Sequence, residues 1–343
     1  MKIILIGGGT LGSVSPLIAV WQRLGKKDAE LQTLFVGTDA GPEKEFVARY
    51  QIAYRAISAG KLRRYFSWNT FLDFFRILFG CLQSFFILRK FRPDVIFSAG
   101  GYVAVPPVWL ARFFKTKVVL YQPDLKIGLA NKLCQKNADL IFTAFPETNS
   151  QFSGQAESVG AVLRAEIGLV KNNDSKTENI LVLGGGTGSA SINNLIHDSL
   201  AELAKRYRII HITGKNKSGS FPQKENYQSF ELLAEDYFAR IADASLVISR
   251  AGLSTLMELS YLSKPVILVP LPESAQEENA KYFCRKQSAI CLKQDQLNSA
   301  GLIAKVNQLM SDWEARKKLG EQINRILPHQ GAEIIAEKIY ELR

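Results

Sequence analysis

Four cysteines in 343 residues, far apart and with neither a CxxC pair nor a histidine at metal-ligand spacing, give no basis for a disulfide framework or a zinc site. Cys81, Cys134, Cys284 and Cys291 read as reduced, mostly buried thiols of a cytosolic protein. Histidine is scarcer still: His197, His211 and His329 all lie in the second half. Long apolar runs are missing too. Residues 1–6 run straight into a glycine loop, too short for the apolar region of a signal peptide, and read as a buried first strand. The stretch from Phe71 to Leu88 is interrupted by Asp73, Arg76 and Gln83, which makes it a poor transmembrane span. No low-complexity tail is present.

What remains is an ordinary globular composition, 47% hydrophobic and 22% charged, at a length that suggests two domains. The net charge of +11 is unevenly placed. Residues 1–150 hold 20 Lys and Arg against 10 Asp and Glu, whereas the remainder holds 23 against 22. A basic half joined to a neutral half points to one domain facing an anionic partner, nucleic acid or acidic lipid.

Two segments resemble each other, KIILIGGGTLGS (2–13) and NILVLGGGTGSAS (179–191). Each is a short apolar strand that breaks into a Gly/Thr loop and continues as an amphipathic helical pattern. Further strand-like runs cover 33–37, 94–100, 117–122 and 140–145 in the first half, and 208–214, 246–252 and 265–271 in the second, with helical stretches between them. This alternation predicts an α/β protein with two Rossmann-like domains. The polar segment 171–179 marks the domain edge. We divide the chain into 1–160, a linker at 161–178, a second domain at 179–330 and a terminal helix at 331–343 that can pack on either domain.

Gly7-x-Gly9-x-x-Gly12 formally matches a dinucleotide fingerprint, with Asp39 near the place of a ribose-binding acid, but such a loop is also simply a tight strand-to-helix turn. Two loops in tandem, with a third strand–Gly–helix junction at Ser249 to Thr255, suit two phosphate-bearing ligands better than one dinucleotide. Glu258, one turn into the helix opening near Ser254, is placed to accept both hydroxyls of a ribose diol, or is an ordinary first-turn acid.

The residues now carry a resemblance. Gly8-Gly9-Thr10-Leu11-Gly12-Ser13-Val14-Ser15-Pro16 is similar to a GGTGGHxxP loop, and Pro93-Asp94-Val95 with Gly100-Gly101-Tyr102-Val103 to PDVVxGxGGYV. Gly128 to Lys132 resembles GLTNK, Gly184 to Ser189 resembles GGSQGA, Arg250 to Glu258 resembles RSGALTVSE, and Gln276 to Ala280 resembles HQxxNA. In this order the motifs resemble the N-acetylglucosaminyltransferases of peptidoglycan synthesis that convert lipid I to lipid II. The resemblance implies a GT-B fold, two Rossmann-like domains with parallel sheets facing across a cleft, UDP-GlcNAc as donor and inversion at the anomeric carbon. It implies a donor site of Thr10, Leu11, Gly12, Asp124, Arg164, Gly186, Thr187, Leu233, Leu253, Ser254, Thr255, Glu258, Gln276 and Asn279. The acceptor side would be Thr10, Ser13, Gly101, Tyr102, Tyr121 and Asp124. With no DxD motif, departure of UDP would rely on helix N-termini and Arg164, with no metal and no cofactor.

The chain departs from the family at several points. Ser13 replaces the histidine ending the first loop, Tyr121-Gln122-Pro123-Asp124 replaces HEQN, and Ala275 replaces the histidine of HQ. Acceptor-side polar groups are rewritten while the nucleotide side is mostly kept. Asp124, just after an apolar strand, is our candidate base for the acceptor hydroxyl, with Ser13 positioning it. Alternatively, Asp124 caps a helix beginning near Lys126.

Trp68 to Leu88 is apolar nearly all round a helix. Phe71, Phe74, Leu78, Leu82 and Phe85 share one row, and Leu72, Phe75, Phe79 and Phe86 another, so one face can pack on the sheet while the other needs a partner. Between Arg55 and Arg92 eight basic residues, Arg63, Arg64, Arg89 and Lys90 among them, stand against the single acid Asp73. Apolar surface flanked by cations suits an anionic bilayer interface better than nucleic acid, whose phosphates need no such apolar area. The expectation is a peripheral enzyme on the cytoplasmic membrane face, using UDP-GlcNAc and a polyprenyl-diphosphate-linked acceptor. Open alternatives are a related GT-B transferase with another lipid-linked acceptor, a non-catalytic homologue binding UDP-sugar or lipid-linked glycan, and, more distantly, a dehydrogenase.

Overall fold

A computed structural model describes residues 1–60, 68–172, 178–185, 188–217, 221, 225–233 and 236–342, and of residues 68–74 the backbone alone. The chain forms two compact units. One comprises Met1–Arg164 with Pro328–Arg343, the other Ala165–Leu327. The first unit therefore keeps residues 161–164, and the second ends at Leu327.

The first unit is a seven-stranded parallel sheet, with β1 Lys2–Ile6, β2 Gln32–Gly37, β3 Ala53–Ala56, β4 Val95–Ser98, β5 Lys117–Gln122, β6 Leu140–Thr143 and β7 Glu157–Ser158 in the order β3-β2-β1-β4-β5-β6-β7. Its helices are α1 Ser15–Lys27, α2 Glu43–Ala48, α3 Trp68–Phe91, α4 Val105–Ala111, α5 Leu129–Cys134 and α6 Pro146–Asn149. Helices on both faces bury the central strands, so β1 reads as the unbroken run Ile3-Ile4-Leu5-Ile6 with no exposed residue.

The second unit repeats the design with β8 Asn179–Leu183, β9 Arg208–Ile212, β10 Tyr227–Phe230, β11 Leu246–Ser249, β12 Val266–Leu268 and β13 Ile290–Cys291, ordered β10-β9-β8-β11-β12-β13. Helices α7 Ala190–Leu203, α8 Tyr237–Asp243, α9 Leu253–Tyr261, α10 Ala275–Arg285, α11 Ser299–Ser311 and α12 Trp313–Asn324 complete it. The last helix, α13 Gly331–Glu341, returns to the first unit and packs on α1 through the ion pairs Arg23–Glu333 and Lys27–Glu337. In both sheets the strand order reverses beside the first strand of the unit, between β1 and β4 and between β8 and β11. Crevices open at the carboxyl ends of strands at such a switch point.

Two sequence expectations are corrected. Cys284 at the end of α10 and Cys291 on β13 form a disulfide, with Cα atoms 6.2 Å apart. Seven residues of sequence hid a turn that brings the two side chains together. Cys81 and Cys134 are free, and burial pushes the Cys134 thiol up to about 12. The second correction concerns α3, where among the described side chains no member of either predicted apolar row is buried. Gly80, Ser84 and Leu88 are buried, while Phe75, Leu78, Phe79, Leu82, Phe85 and Phe86 are all exposed, Phe79 at 55% and Phe86 at 61%. A Cβ on Gly80 would stand 2.0 Å from the Ser58 carbonyl oxygen, so only small residues let the helix lie this close to the unit. Arg63 and Arg64 lie outside the described residues, as do the side chains of Trp68, Phe71 and Phe74. Among the described residues no helix is long and apolar enough to cross a membrane.

The core of the second unit holds one titratable group in a single protonation state. His211, on β9 and wholly buried, meets Asn193 Oδ1 at 3.1 Å and the Tyr227 hydroxyl at 2.9 Å. The Asn193 amide donates to the Thr213 carbonyl, so its oxygen receives Nε2–H, and Nδ1 accepts from Tyr227. Burial lowers the His211 pKa from 6.5 to about 4. A folded-state value below the unfolded one means that this stabilisation is complete above about pH 6.5 and is lost as pH falls towards 4. Over that interval the second unit should lose roughly 3 kcal/mol of unfolding free energy. Urea denaturation from pH 7 to 4 should show this loss in the wild type and a flatter pH dependence in His211→Gln.

Candidate active site

In the first unit the loop after β1 is the meeting point. Leu11–Ser13 form one tight turn, and the Ser13 hydroxyl donates to the Thr10 carbonyl at 3.2 Å and reaches that of Gly8 at 3.5 Å. The turn after β4 presses on this loop. Gly101 has φ of 90°, and a Cβ there would lie 3.1 Å from the Gly8 oxygen, which restricts the position to glycine on both counts. The ring of Tyr102 lies against Gly9. Thr10, Ser13, Gly101 and Tyr102 are thus brought together at the β1–β4 switch point.

The loop has a brace that sequence reading missed. Glu43, at the start of α2 and with no exposed surface, accepts the Gly9 N–H at 3.2 Å, the Thr38 N–H at 2.8 Å and the Thr38 hydroxyl. Gly9 is where the dinucleotide fingerprint would bring backbone to a pyrophosphate, and here a carboxylate of the chain takes that N–H. Asp39 is exposed two residues beyond the end of β2. This first loop is not arranged to bind a dinucleotide.

Asp124 lies one strand further along, in the loop after β5. Gln122 shapes that loop. Its amide nitrogen donates to the carbonyls of Asp124 at 3.0 Å and Lys126 at 3.1 Å, and its oxygen accepts from the Gly128 N–H and from Asn131. The following helix α5 starts at Leu129 with Gly128 as its N-cap, so Asp124 does not cap it. Tyr121 is corrected as well. It is fully buried, its hydroxyl donates to the Gly160 carbonyl at 3.1 Å, and burial drives its pKa well up. It supports the loop from below and offers no surface to an acceptor. The returning chain also brings His329 into the first unit, which the sequence division had left without histidine. Burial lowers its pKa. Arg164 closes the first unit, donating to the Tyr50 hydroxyl at 3.3 Å with its guanidinium 5.3 Å from the centre of the Phe46 ring.

In the second unit the groups gather at the ends of β8, β11 and β12. Leu253, Ser254 and Thr255 open α9 behind the N-cap Gly252, presenting the unpaired N–H groups of a helix start. Glu258 is buried one turn in, and the Tyr237 hydroxyl donates to its Oε2 at 2.8 Å, an orienting contact with no sequence signal. Asn279, fully buried on α10, donates to the Ala251 carbonyl at 3.1 Å, and the Gln276 oxygen accepts the Leu271 N–H at 3.1 Å. Both side chains hold the loops that follow β11 and β12. Leu233 sits in the loop after the edge strand β10. Gly186 and Thr187 lie outside the described residues.

Comparison with known proteins places these two units. Residues 3–143 match the glycosyltransferase family 28 N-terminal domain, and residues 179–329 match the family 28 C-terminal domain. The chain is 36% identical over 326 residues to a UDP-N-acetylglucosamine--N-acetylmuramyl-(pentapeptide) pyrophosphoryl-undecaprenol N-acetylglucosamine transferase of Bacillus thuringiensis, covering 91% of each chain. It is 37% identical to the transferase of that name from Clostridium tetani, again over 91% of each. Among solved structures, MurG of Acinetobacter baumannii matches with a TM-score of 0.74 at 21% identity, covering 99% of both chains, a likeness of GT-B fold.

The Glu43 brace predicts a local cost. Glu43→Ala would leave the Gly9 and Thr38 N–H groups unbonded in a buried setting, and should lower the stability of the first unit by about 2–3 kcal/mol. Hydrogen exchange at these two amides should accelerate. Unchanged protection would mean that the carboxylate does not hold the loop.

Proposed function

The chain belongs to glycosyltransferase family 28, and from that premise we propose that it transfers N-acetylglucosamine from UDP-N-acetylglucosamine, with inversion, to an N-acetylmuramyl-(pentapeptide) acceptor carried on undecaprenyl pyrophosphate. The observation that carries this reading is the identity of 36–37% with transferases of that name over 91% of both chains, with the donor-side motifs retained. In this reading the start of α9 receives the donor phosphates through Leu253, Ser254 and Thr255. Glu258, oriented by Tyr237, accepts the ribose hydroxyls, while Gln276 and Asn279 face the sugar and Leu233 the uracil. Without a DxD motif, charge on the departing UDP is met by helix N-termini and not by a metal.

Inverting displacement needs a base on the face opposite the leaving group, within hydrogen-bond reach of the attacking hydroxyl. We assign that role to Asp124, at the carboxyl edge of the sheet, with Ser13 positioning the acceptor. The exclusion of a capping role for Asp124 supports the assignment. His329 is the competing base in the same unit.

Single-turnover transfer from radiolabelled UDP-GlcNAc, with membrane lipid extract as acceptor, tests the reading. Label should appear in a lipid-linked disaccharide. Glu258→Ala should weaken UDP binding by roughly 1.5–3 kcal/mol. Asp124→Asn should slow transfer about 100-fold or more with donor affinity intact, and His329→Gln should not. Label on a different lipid would favour the related transferase, and no turnover with any lipid-linked acceptor would favour a binding protein.

The exposed rows of α3 support peripheral attachment to the cytoplasmic face of an anionic membrane. Phe113, 82% exposed, and Trp109 continue this apolar surface on and beside α4, which packs on α3, and Arg76, Arg89, Lys90 and Arg92 are exposed around it. Phe79→Ser with Phe86→Ser should weaken partition into anionic vesicles by roughly 1–2 kcal/mol per residue, without lowering Tm. Arg89→Gln with Lys90→Gln should remove about 1 kcal/mol each. A wild-type protein that ignores such vesicles would assign the surface to a protein partner.

A further inference from the structure

We propose that Arg250 is a positioning residue for the donor diphosphate, fixing the starts of α7 and α9 around it and lending it a buried positive charge. The proposal rests on the donor reading above and adds a residue to it.

Arg250 follows β11 directly and is 7% exposed. A guanidinium has five N–H donors, and here each has an acceptor. Nε donates to the Ser189 hydroxyl at 3.1 Å. One amino group donates to the carbonyls of Val269 at 2.8 Å and Pro270 at 3.0 Å. The other donates to the Ser191 hydroxyl and to Gln294 Oε1 at 2.8 Å. All five acceptors are neutral, and among the described residues no carboxylate pairs with it. The charge is therefore hydrogen-bonded yet uncompensated. Burial pushes the guanidinium's pKa down, although arginine stays charged in proteins.

The acceptors follow three strands and the arginine a fourth. Ser189 and Ser191 follow β8, Val269 and Pro270 follow β12, Gln294 follows β13, and Arg250 itself follows β11. Ser189 is also the N-cap of α7, accepting the Ile192 N–H at 3.3 Å. Arg250 stands three residues before α9. One side chain thus ties together two helix N-termini, each a region of positive potential. A cation left uncompensated in a poorly solvated crevice draws an anion more strongly than the same cation in water. The GGSQGA motif ends in alanine where this chain has Ser189, so the hydroxyl that receives Nε is this chain's own substitution.

The test is calorimetry on the full chain with UDP and with uridine, which lacks the phosphates. Arg250→Gln should weaken UDP binding about tenfold or more while changing uridine affinity by less than about threefold, with a shallower salt dependence for UDP. Arg250→Lys, which keeps the charge and loses the fork, should fall between the two. Ser189→Ala with Ser191→Ala leaves Arg250 in place, cuts its tie to α7, and should also lower UDP affinity relative to uridine; it carries the test if Arg250→Gln does not fold. A purely structural arginine would weaken both ligands equally, and unchanged UDP affinity in all variants would likewise overturn the proposal. If wild type binds UDP and Glu258→Ala weakens it while the arginine variants match wild type, this inference alone fails. If wild type does not bind UDP, the donor reading fails and takes this inference with it.

Discussion

A parallel strand that ends beneath a glycine turn leaves main-chain groups pointing into a crevice, and buried groups of that kind must be bonded. In both units a single buried charged side chain meets this need, and the two charges are opposite. The Glu43 carboxylate takes N–H groups of the first loop and of Thr38. The Arg250 guanidinium takes hydroxyls and carbonyls around the second. The loops look alike in sequence and share the strand order of their sheets, yet one already contains an anion and the other contains an uncompensated cation. Fold alone does not set the charge in each crevice. The side chain that braces the loop does.

The long helix α3 follows from a similar constraint of close approach. An apolar helix normally turns its bulkiest side chains inward, because burying a phenylalanine yields more than burying a glycine. Here the backbone at Gly80 sits against the Ser58 carbonyl, and the Ser84 hydroxyl folds back onto the Gly80 carbonyl at 2.6 Å. Contact this close leaves no room for a large side chain at Gly80, and the inner face carries only Gly80, Ser84 and Leu88 as fully buried residues among the described side chains. The described phenylalanines Phe75, Phe79, Phe85 and Phe86 are therefore exposed, and Phe85 reaches Phe114 with ring centres 5.3 Å apart. Exposed apolar patches of this kind mark interaction surfaces.

Most of the fold was legible because the central strands are buried on both faces and read as unbroken apolar runs. The strands that sequence reading missed are β3, β7, β10 and β13, the outermost strands of the two sheets. An edge strand needs one ladder and little burial, so β3 alternates exposed and half-buried residues and β7 is two residues long. Neither pattern separates from a loop. The site divides along a similar line. Motif residues at helix starts, such as Leu253 to Glu258, were legible because glycine and a helical period frame them. Glu43, Tyr237 and the role of Arg250 were not, since each acts through a partner distant in sequence, and Gln122 was not, since its bonds within its own loop follow no motif or period. Tyr121 misled for the opposite reason. It is adjacent in sequence to polar residues, but β5 is buried on both faces, so its ring lies in the core.

The acceptor-side substitutions also have a physical order. Ser13 places a hydroxyl where the motif has histidine, and that hydroxyl is directed at its own loop. An imidazole can take a proton at that position, whereas a serine hydroxyl without a basic partner cannot. If the chemistry is retained, the proton must go to a group held as firmly as the one that was lost. Firmness at Asp124 comes from Gln122, a buried side chain that bonds two carbonyls of the same short loop and receives an N–H from its end. A loop pinned at three points by one side chain keeps the backbone at Asp124 in place without a helix to carry it. In the proposed reading the proton acceptor therefore lies on the loop after β5, the second strand beyond β1, and not on the loop after β1 itself.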